Sequence, residues 1–313
     1  MLNSFEVYYI SNGIDKLKKE ELSHGKLGVL GGSGFYSIEN LNNVKEISID
    51  TPYGEPSDKF LVGELEGIEV VFLARHGKNH SFTPSEVPYR ANIWALKSLG
   101  VKWILSASAV GSLKEEIKPL DMVIPDQFID RTNNRPMTFF GNGVVAHVAL
   151  ADPFCPELTK ILKDVVSPLM PKERNLHIGG TYLCMEGPAF STRAESEFYR
   201  SLGCSIIGMT NHTEARLCRE AEIAYVSLSM STDYDCWHED HDDVSVDMII
   251  QNLNINANLA KQIVSFFAKS IAEQRPASIA HDALKDALIT PKDKVPQKTK
   301  EKIKIFTNKY WDK

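Results

Sequence analysis

The sequence predicts an α/β fold, a single domain built on a central mixed, largely parallel twisted sheet flanked by helices. Three observations predict it. Short apolar runs recur along the chain and end in glycine or small polar residues. Helical patterns lie between them, as in alternating strand–helix units. The runs are also apolar enough for strands covered on both faces, which is how parallel sheets are built.

The elements follow in order. With 313 residues the chain is long enough for one large domain with a substantial core. Residues 1–24 read as a polar N-terminal extension, with Lys16, Lys18, Lys19, Glu20 and Glu21 close together. They lack the basic start, apolar stretch and small-residue cleavage site of a secretory signal. The main domain is expected over residues 25–275. Its strand candidates are Leu27–Leu30, Val70–Ala74, Trp103–Ser106, Met122–Pro125, Tyr182–Met185, Ile206–Met209 and Ile223–Met230. Helices are expected at Tyr89–Leu99, Pro156–Val166, Thr192–Leu202 and Thr213–Glu222. A longer one runs from Val246 to Ile271, where Ile249, Ile250, Leu253, Ile263 and Phe267 recur at three- and four-residue steps.

Arg275-Pro276 ends that helix, since proline lacks an amide hydrogen and clashes with the turn before it. The segment 276–313 is basic, with nine lysines against five acidic residues over 277–313. It retains Leu284, Leu288, Ile303, Ile305, Phe306, Tyr310 and Trp311, and is expected to pack as a helical segment on the same domain. Its basic stripe reads as a solvated helix face.

Composition narrows the function classes. No window approaches eighteen uninterrupted apolar residues, so no membrane-spanning helix is expected. The five cysteines are scattered and never form a C-x-x-C pair, which argues against a disulfide framework or cysteine zinc site and fits a reducing cytoplasm. A net charge of −6 offers nucleic acid no basic field. Small molecules, or copies of the chain itself, are the expected partners.

Six segments at run ends are candidates for chemistry. Gly31-Gly32-Ser33-Gly34 reads equally as a tight turn or an anion cradle. A dinucleotide fingerprint would need glycine at 37, where Ser37 stands. Ala74-Arg75-His76-Gly77 offers a planar guanidinium fork and an imidazole at a strand end, or a surface turn. His80 reads as structural. Ser106–Ser112 is a run of small residues and hydroxyls, suited to close ligand contact or to packing. Met185–Thr192 holds a Gly-Pro turn and Phe190, a ring able to stack on a planar base or to pack as an ordinary core aromatic. Met209–Glu214 is the fifth. Ser231–Asp235 carries carboxylates at i and i+2, which project to one side if the backbone is extended, or serve as helix caps. The acidic stretch His238–Asp243 is dense in metal-ligand types, but its histidines lie three apart on no apolar helix; no metal site is assigned to it.

The order of these pieces is far more specific than any one of them. G-G-S-G, T-P-Y-G-E-P-S-D, A-R-H-G, A-N-I-W-A-L, G-S-L-K-E-E-I-K-P-L-D, D-Q-F-I-D-R-T, E-G-P-A-F-S-T-R-A-E and S-T-D-Y-D-C-W together resemble the methylthioadenosine phosphorylases of the trimeric purine nucleoside phosphorylase class. The likeness runs from about Lys26 to about Ile271. It implies the nucleoside phosphorylase fold and phosphorolysis of 5'-methylthioadenosine, in purine and methionine salvage. Phosphate would be a co-substrate, with no cofactor.

By position, the resemblance implies a phosphate site from Ser33, Arg75, His76, Ser108, the Ala109 backbone and Thr210. Met209 would lie against the ribose. Phe190 and Ser191 would border the purine, Asp233 and Asp235 would read its edge, and Trp237 follows that pair. Val246, Ile249 and Ile250 match a 5'-methylthio pocket. His147 matches a residue lent by a neighbouring subunit of a homotrimer. Asp233 and His76 are the expected catalytic residues, Asp233 by sharing a proton with purine N7.

An ionised Asp233 only accepts hydrogen bonds, which suits the 6-amino group of adenine over a 6-oxopurine. The rival readings are a 6-oxopurine or broad adenosine-cleaving phosphorylase, a nucleosidase using water, and a non-catalytic nucleoside-binding protein. Two departures from the family pattern stand out. Asn211-His212-Thr213 occupies a stretch usually apolar and proline-containing, so His212 is expected near the sugar. The 277–313 tail matches only loosely.

Overall fold

β1 (Lys26–Gly31) shows why the apolar runs are unbroken, because its alternate side chains feed two different cores. Leu27 and Val29 join one cluster and Leu30 joins the other, all three buried. The computed structural model describes residues 20–31, 41–238 and 246–311. Within them lie eleven strands of one sheet.

Along its main path the sheet runs β2 (Asn42–Ile47), β3 (Phe60–Leu65), β4 (Ile68–Ala74), β1, β5 (Val101–Ser112), β10 (Ile206–Gly208), β9 (Thr181–Met185) and β7 (Gln127–Arg131). β11 (Ala224–Asp233) branches off β5, followed by β6 (Met122–Ile124) and β8 (Leu176–Ile178). Six of the ten strand pairings among the described residues are parallel. The expected mixed, largely parallel sheet is what the chain forms.

Helices cover both faces. α2 (Pro156–Val166) and α5 (Val246–Gln274) supply Leu158, Ile161, Ile263 and Phe267 to the cluster that holds Val29, Phe72 and Val226. α1 (Tyr89–Ser98) and α4 (Asn211–Glu220) supply Ile93, Leu96, Ala215 and Leu217 to the opposite cluster with Leu30, Leu73 and Tyr225. The last helix, α6 (Gln297–Trp311), adds Ile303 and Phe306 to this second cluster, where Phe306 lies 4.4 Å from the Phe139 ring. Each such fully buried side chain contributes roughly 1.5–3 kcal/mol over its exposed state. α3 (Arg193–Ser201) starts at a capping box in which Thr192 and Glu195 satisfy each other's backbone donors. α5 ends at Arg275, whose φ of 43° precedes Pro276.

Several elements depart from expectation. β2, β7 and β8 carry no apolar run that announces them, and β3 only the short Phe60-Leu61-Val62; among the described residues β2 is an exposed, polar edge strand paired only with β3. β5 does not stop at Ser106 but continues through the small residues to Ser112, because β11 pairs with it in parallel from Trp103 to Gly111. On its other edge β1 pairs only as far as Ser106, and β10 begins at Gly111. Among the described residues, 107–110 therefore face no strand on that side, and a crevice opens there. No described helix is long and apolar enough to cross a membrane.

Candidate active site

A cavity of about 690 Å³ occupies the gap beside residues 107–110 of β5, a volume suited to a nucleoside-sized ligand. Open α/β sheets place ligands at such switch points, where neighbouring strands part. Arg75, bonded to Ala107, marks one end, while Asp233 pairs with Gly111 at the other. At about 3.3 Å per residue these two groups stand roughly 13 Å apart along the strand.

Arg75 directly follows β4 and is only 3% exposed. Its Nε and Nη2 both donate to the Glu214 carboxylate of α4, Nη2 also donates to Ser106 Oγ at 2.6 Å, and Nη1 donates to the Ala107 carbonyl at 3.1 Å. Glu214 also accepts from Ser106 Oγ at 2.9 Å and from Tyr225 Oη at 2.8 Å. Four of the five guanidinium N–H groups are thus spoken for, leaving one on Nη1 for the cavity that Arg75 lines. Burial pulls the Arg75 pKa down, but Glu214's charge and hydrogen bonds outweigh that and hold it above its ordinary value.

His76, Ser108 and Thr210, which share this end of the cavity, are neutral groups. His76 Nδ1 lies 2.9 Å from the Phe82 carbonyl, and a carbonyl only accepts, so Nδ1 carries the proton. Burial, then the neighbouring Arg75 charge, push the imidazole down to about 4. His80 stacks on it at 4.4 Å. Ser108 Oγ lines the cavity, buried and without a hydrogen-bond partner among the described residues. Thr210, 5% exposed, caps α4, whose first amides favour an anion. Ser33 lies outside the described residues.

At the far end Asp233 is the last residue of β11 and 6% exposed. Thr232 Oγ1 donates to its Oδ2 at 2.6 Å and the Asp235 amide to its Oδ1 at 2.8 Å. Burial raises its pKa, the two hydrogen bonds oppose that, and the Asp235 charge reinforces it. Burial likewise raises Asp235, with the Ser196 and Ser191 hydroxyls easing the shift. The carboxylates do not share an extended face as expected; Asp235 has φ of 52° and turns its amide back onto Asp233. Gly111 admits Asp233, since a Cβ there would meet Oδ1 at 2.9 Å and Ile207 Cγ2 at 3.0 Å.

Phe190, Met209 and Ala109 line the wall between, and Val246, Ile249 and Ile250 form an apolar wall with Leu253. α5 is held beside Thr232 by Asn252, whose amide donates to that carbonyl at 2.7 Å.

Four expected residues lie elsewhere. Trp237 is outside the cavity lining: the chain turns at Asp235, Trp237 donates from Nε1 to the Ser112 carbonyl, and Arg200 sits 3.6 Å over its ring. Ser191 is buried with its hydroxyl toward Met185. His147 is outside this chain's lining, its amide bonded to the Ala287 carbonyl at 2.9 Å. His212 is outside the cavity lining: two helical steps from Thr210 rotate it about 200°, and it packs on Phe128 at 4.7 Å and Asp130 at 3.4 Å. The acidic stretch after His238 lies outside the described residues.

Two positioning residues were not legible in the sequence. Glu214 meets Arg75 from 139 positions away. Arg135 donates to the Met209 and Glu186 carbonyls, tying the ends of β10 and β9 together under the cavity wall. A buried acid beside Thr210 on an otherwise apolar helix face was the only local hint of the first.

The family model of the Phosphorylase superfamily matches residues 26–269. An S-methyl-5'-thioadenosine phosphorylase of Prochlorococcus marinus is 64% identical over 292 residues, covering 93% of this chain and 93% of that protein. One from Thermosynechococcus vestitus is 55% identical over 285 residues, covering 91% and 99%. Among solved structures, a methylthioadenosine phosphorylase sourced from an antarctic soil metagenomic library superposes with a TM-score of 0.87 at 52% identity, covering 91% of this chain and 99% of that one. The methylthioadenosine phosphorylase of Schistosoma mansoni in complex with adenine gives 0.75 at 36% identity, covering 80% and 93%.

Proposed function

This chain belongs to the phosphorylase superfamily, among its S-methyl-5'-thioadenosine phosphorylases, and from that footing we propose that it cleaves 5'-methylthioadenosine with inorganic phosphate. The products are adenine and 5-methylthioribose 1-phosphate, and the reaction is a pentosyl transfer serving purine and methionine salvage. One observation carries the reading: a single cavity holds a donor-lined anion end and a buried carboxylate end, separated by four residues of one strand.

The chemistry follows from that spacing. Phosphate is held by Arg75, His76, Ser108, Thr210 and the Ala109 backbone, with Ser33 assigned by resemblance alone. It meets the anomeric carbon as the bond to adenine loosens, and its negative charge stabilises the positive charge growing on the ribose. Met209 lies along the sugar and Phe190 along the base.

Asp233 shares a proton with purine N7, which makes adenine a better leaving group. Its raised pKa supports that role, because burial makes the carboxyl hold its proton more tightly than an exposed one. Asp235 holds the turn that aims it. Val246, Ile249 and Ile250 favour a methylthio group over a hydroxyl. The attacking oxygen belongs to phosphate, so no covalent enzyme intermediate arises. We further assign a homotrimer, with His147 reaching a neighbouring subunit's site, and a cytoplasmic location.

Adenine release from 5'-methylthioadenosine, measured with and without phosphate, tests the reading. Release that requires phosphate and exceeds base release from adenosine and inosine is the expected result. Release without phosphate identifies a nucleosidase, and no turnover of any of the three identifies a binding protein.

A further inference from the structure

We infer that the anion end selects an oxyanion that brings its own proton, so that hydrogen phosphate binds as it is while sulfate binds only by drawing a proton onto His76. The inference rests on the phosphorolysis reading for which anion is physiological. Its geometry stands apart from that reading.

The first support is the tautomer. His76 Nδ1 is 2.9 Å from the Phe82 carbonyl, which has no proton to give, so the ring proton sits on Nδ1. In the neutral ring Nε2 is then a lone pair at the cavity that His76 lines, an acceptor among donors. An anion oxygen without a proton meets that lone pair repulsively, whereas a P–O–H group donates to it.

The second is the charge balance. Arg75 is the cation at this end among the described cavity-lining residues, and Glu214 grips it at two points. The other polar side chains lining this end, Ser108 and Thr210, are neutral hydroxyls. The charged and titratable groups facing His76 are Arg75, His80 and Glu214; Arg75 and His80 disfavour its cation and Glu214 favours it. Burial tips the balance further toward the neutral ring, with a pKa near 4. His80, stacked at 4.4 Å, closes one face of the ring, so the ring cannot turn Nε2 away without breaking both contacts.

At neutral pH hydrogen phosphate carries a proton and sulfate carries none. Hydrogen phosphate therefore places its O–H on Nε2 with no exchange of protons with solvent. Sulfate requires the cationic ring, and each bound sulfate must take up close to one proton. Above the His76 pKa this weakens sulfate by about tenfold per pH unit, the slope of a single linked proton. Phosphate affinity stays flat over the range where hydrogen phosphate predominates.

Titration calorimetry of the full chain with inorganic phosphate and with sulfate decides this without reference to turnover. Runs at pH 8 and 9, where hydrogen phosphate predominates, in buffers of different ionisation enthalpy, give the protons taken up per anion. The expected result is close to one proton for sulfate, close to none for phosphate, and a sulfate affinity about tenfold weaker at the higher pH. In His76→Asn both anions should bind without proton uptake. Equal proton uptake by the two anions in the unmodified protein overturns the inference, as does a sulfate affinity independent of pH. The adenine-release assay stands separately, so failure of the phosphorolysis reading is distinguishable from failure here.

Discussion

The anion end and the 5' end of the cavity are built in opposite ways. Arg75 and Thr210 are 3% and 5% exposed, whereas Val246 and Ile250 are 61% and 49% exposed. The first pair is held by strand ends and by the Arg75–Glu214–Ser106–Tyr225 network that runs between the two cores. The second sits on the opening turns of α5, tied down near Thr232 by Asn252. The difference separates two tasks. Groups proposed to act on phosphate and on the leaving base are over-determined by the sheet, while those proposed to read the 5' substituent rest on a helix start whose side chains can change without disturbing the core.

The contrast can be broken most severely at Arg75. Arg75→Ala leaves Glu214 as a buried, uncompensated charge, which costs about 3–5 kcal/mol. Urea or thermal unfolding should show that loss together with loss of phosphate-dependent turnover. If stability is unchanged, the network does not organise this end.

At the carboxylate end, Asp233→Asn should lower turnover of 5'-methylthioadenosine by about 100-fold or more, with the fold intact, while inosine cleavage improves because an amide can donate to a 6-oxo group. The pH profile checks the same residue. Burial raises the Asp233 pKa, so its proton is present below that raised value and lost as pH rises through it. The unmodified protein's rate should fall along that limb, and the limb should vanish in the asparagine variant. If adenosine and inosine cleavage fall together, Asp233 does not read the base.

The 5' end should respond more mildly. Ile249→Ser should cut the preference for 5'-methylthioadenosine over adenosine by about tenfold, as one apolar contact discriminates modestly. Thermal stability should hardly move. An unchanged preference would mean another wall reads the methylthio group.

The smallest effect is expected at His212. It faces Phe128 and Asp130 rather than the cavity, so His212→Met should alter the nucleoside preference by no more than about twofold. A larger change would show that this helix face reaches the sugar.

The same division explains what the sequence made legible. Strands buried on both faces announce themselves as apolar runs, so β1, β4, β9 and β11 were readable and the fold class with them. β2 was not, because an exposed edge strand has no apolar side to display. Residues 107–112 looked like a turn of small side chains; only the long-range pairing with β11 makes them strand. Residues at run ends, such as Arg75 and Asp233, could be singled out because strand ends are where α/β folds keep polar groups. Glu214 and Arg135 could not, since their partners lie far along the chain. His212 and Trp237 lie off the cavity lining for a simpler reason: proximity in sequence to Thr210 and Asp235 says nothing of which way a helix turn or a left-handed residue aims the next side chain.

The central claim is that a phosphate oxygen, rather than water, attacks the sugar. Turnover of 5'-methylthioadenosine in the presence of phosphate labelled with oxygen-18 tests it most directly, by mass analysis of the sugar product. The account predicts a sugar phosphate whose bridging oxygen at the anomeric carbon carries the label, formed mole for mole with adenine. Free 5-methylthioribose bearing a solvent oxygen would contradict it.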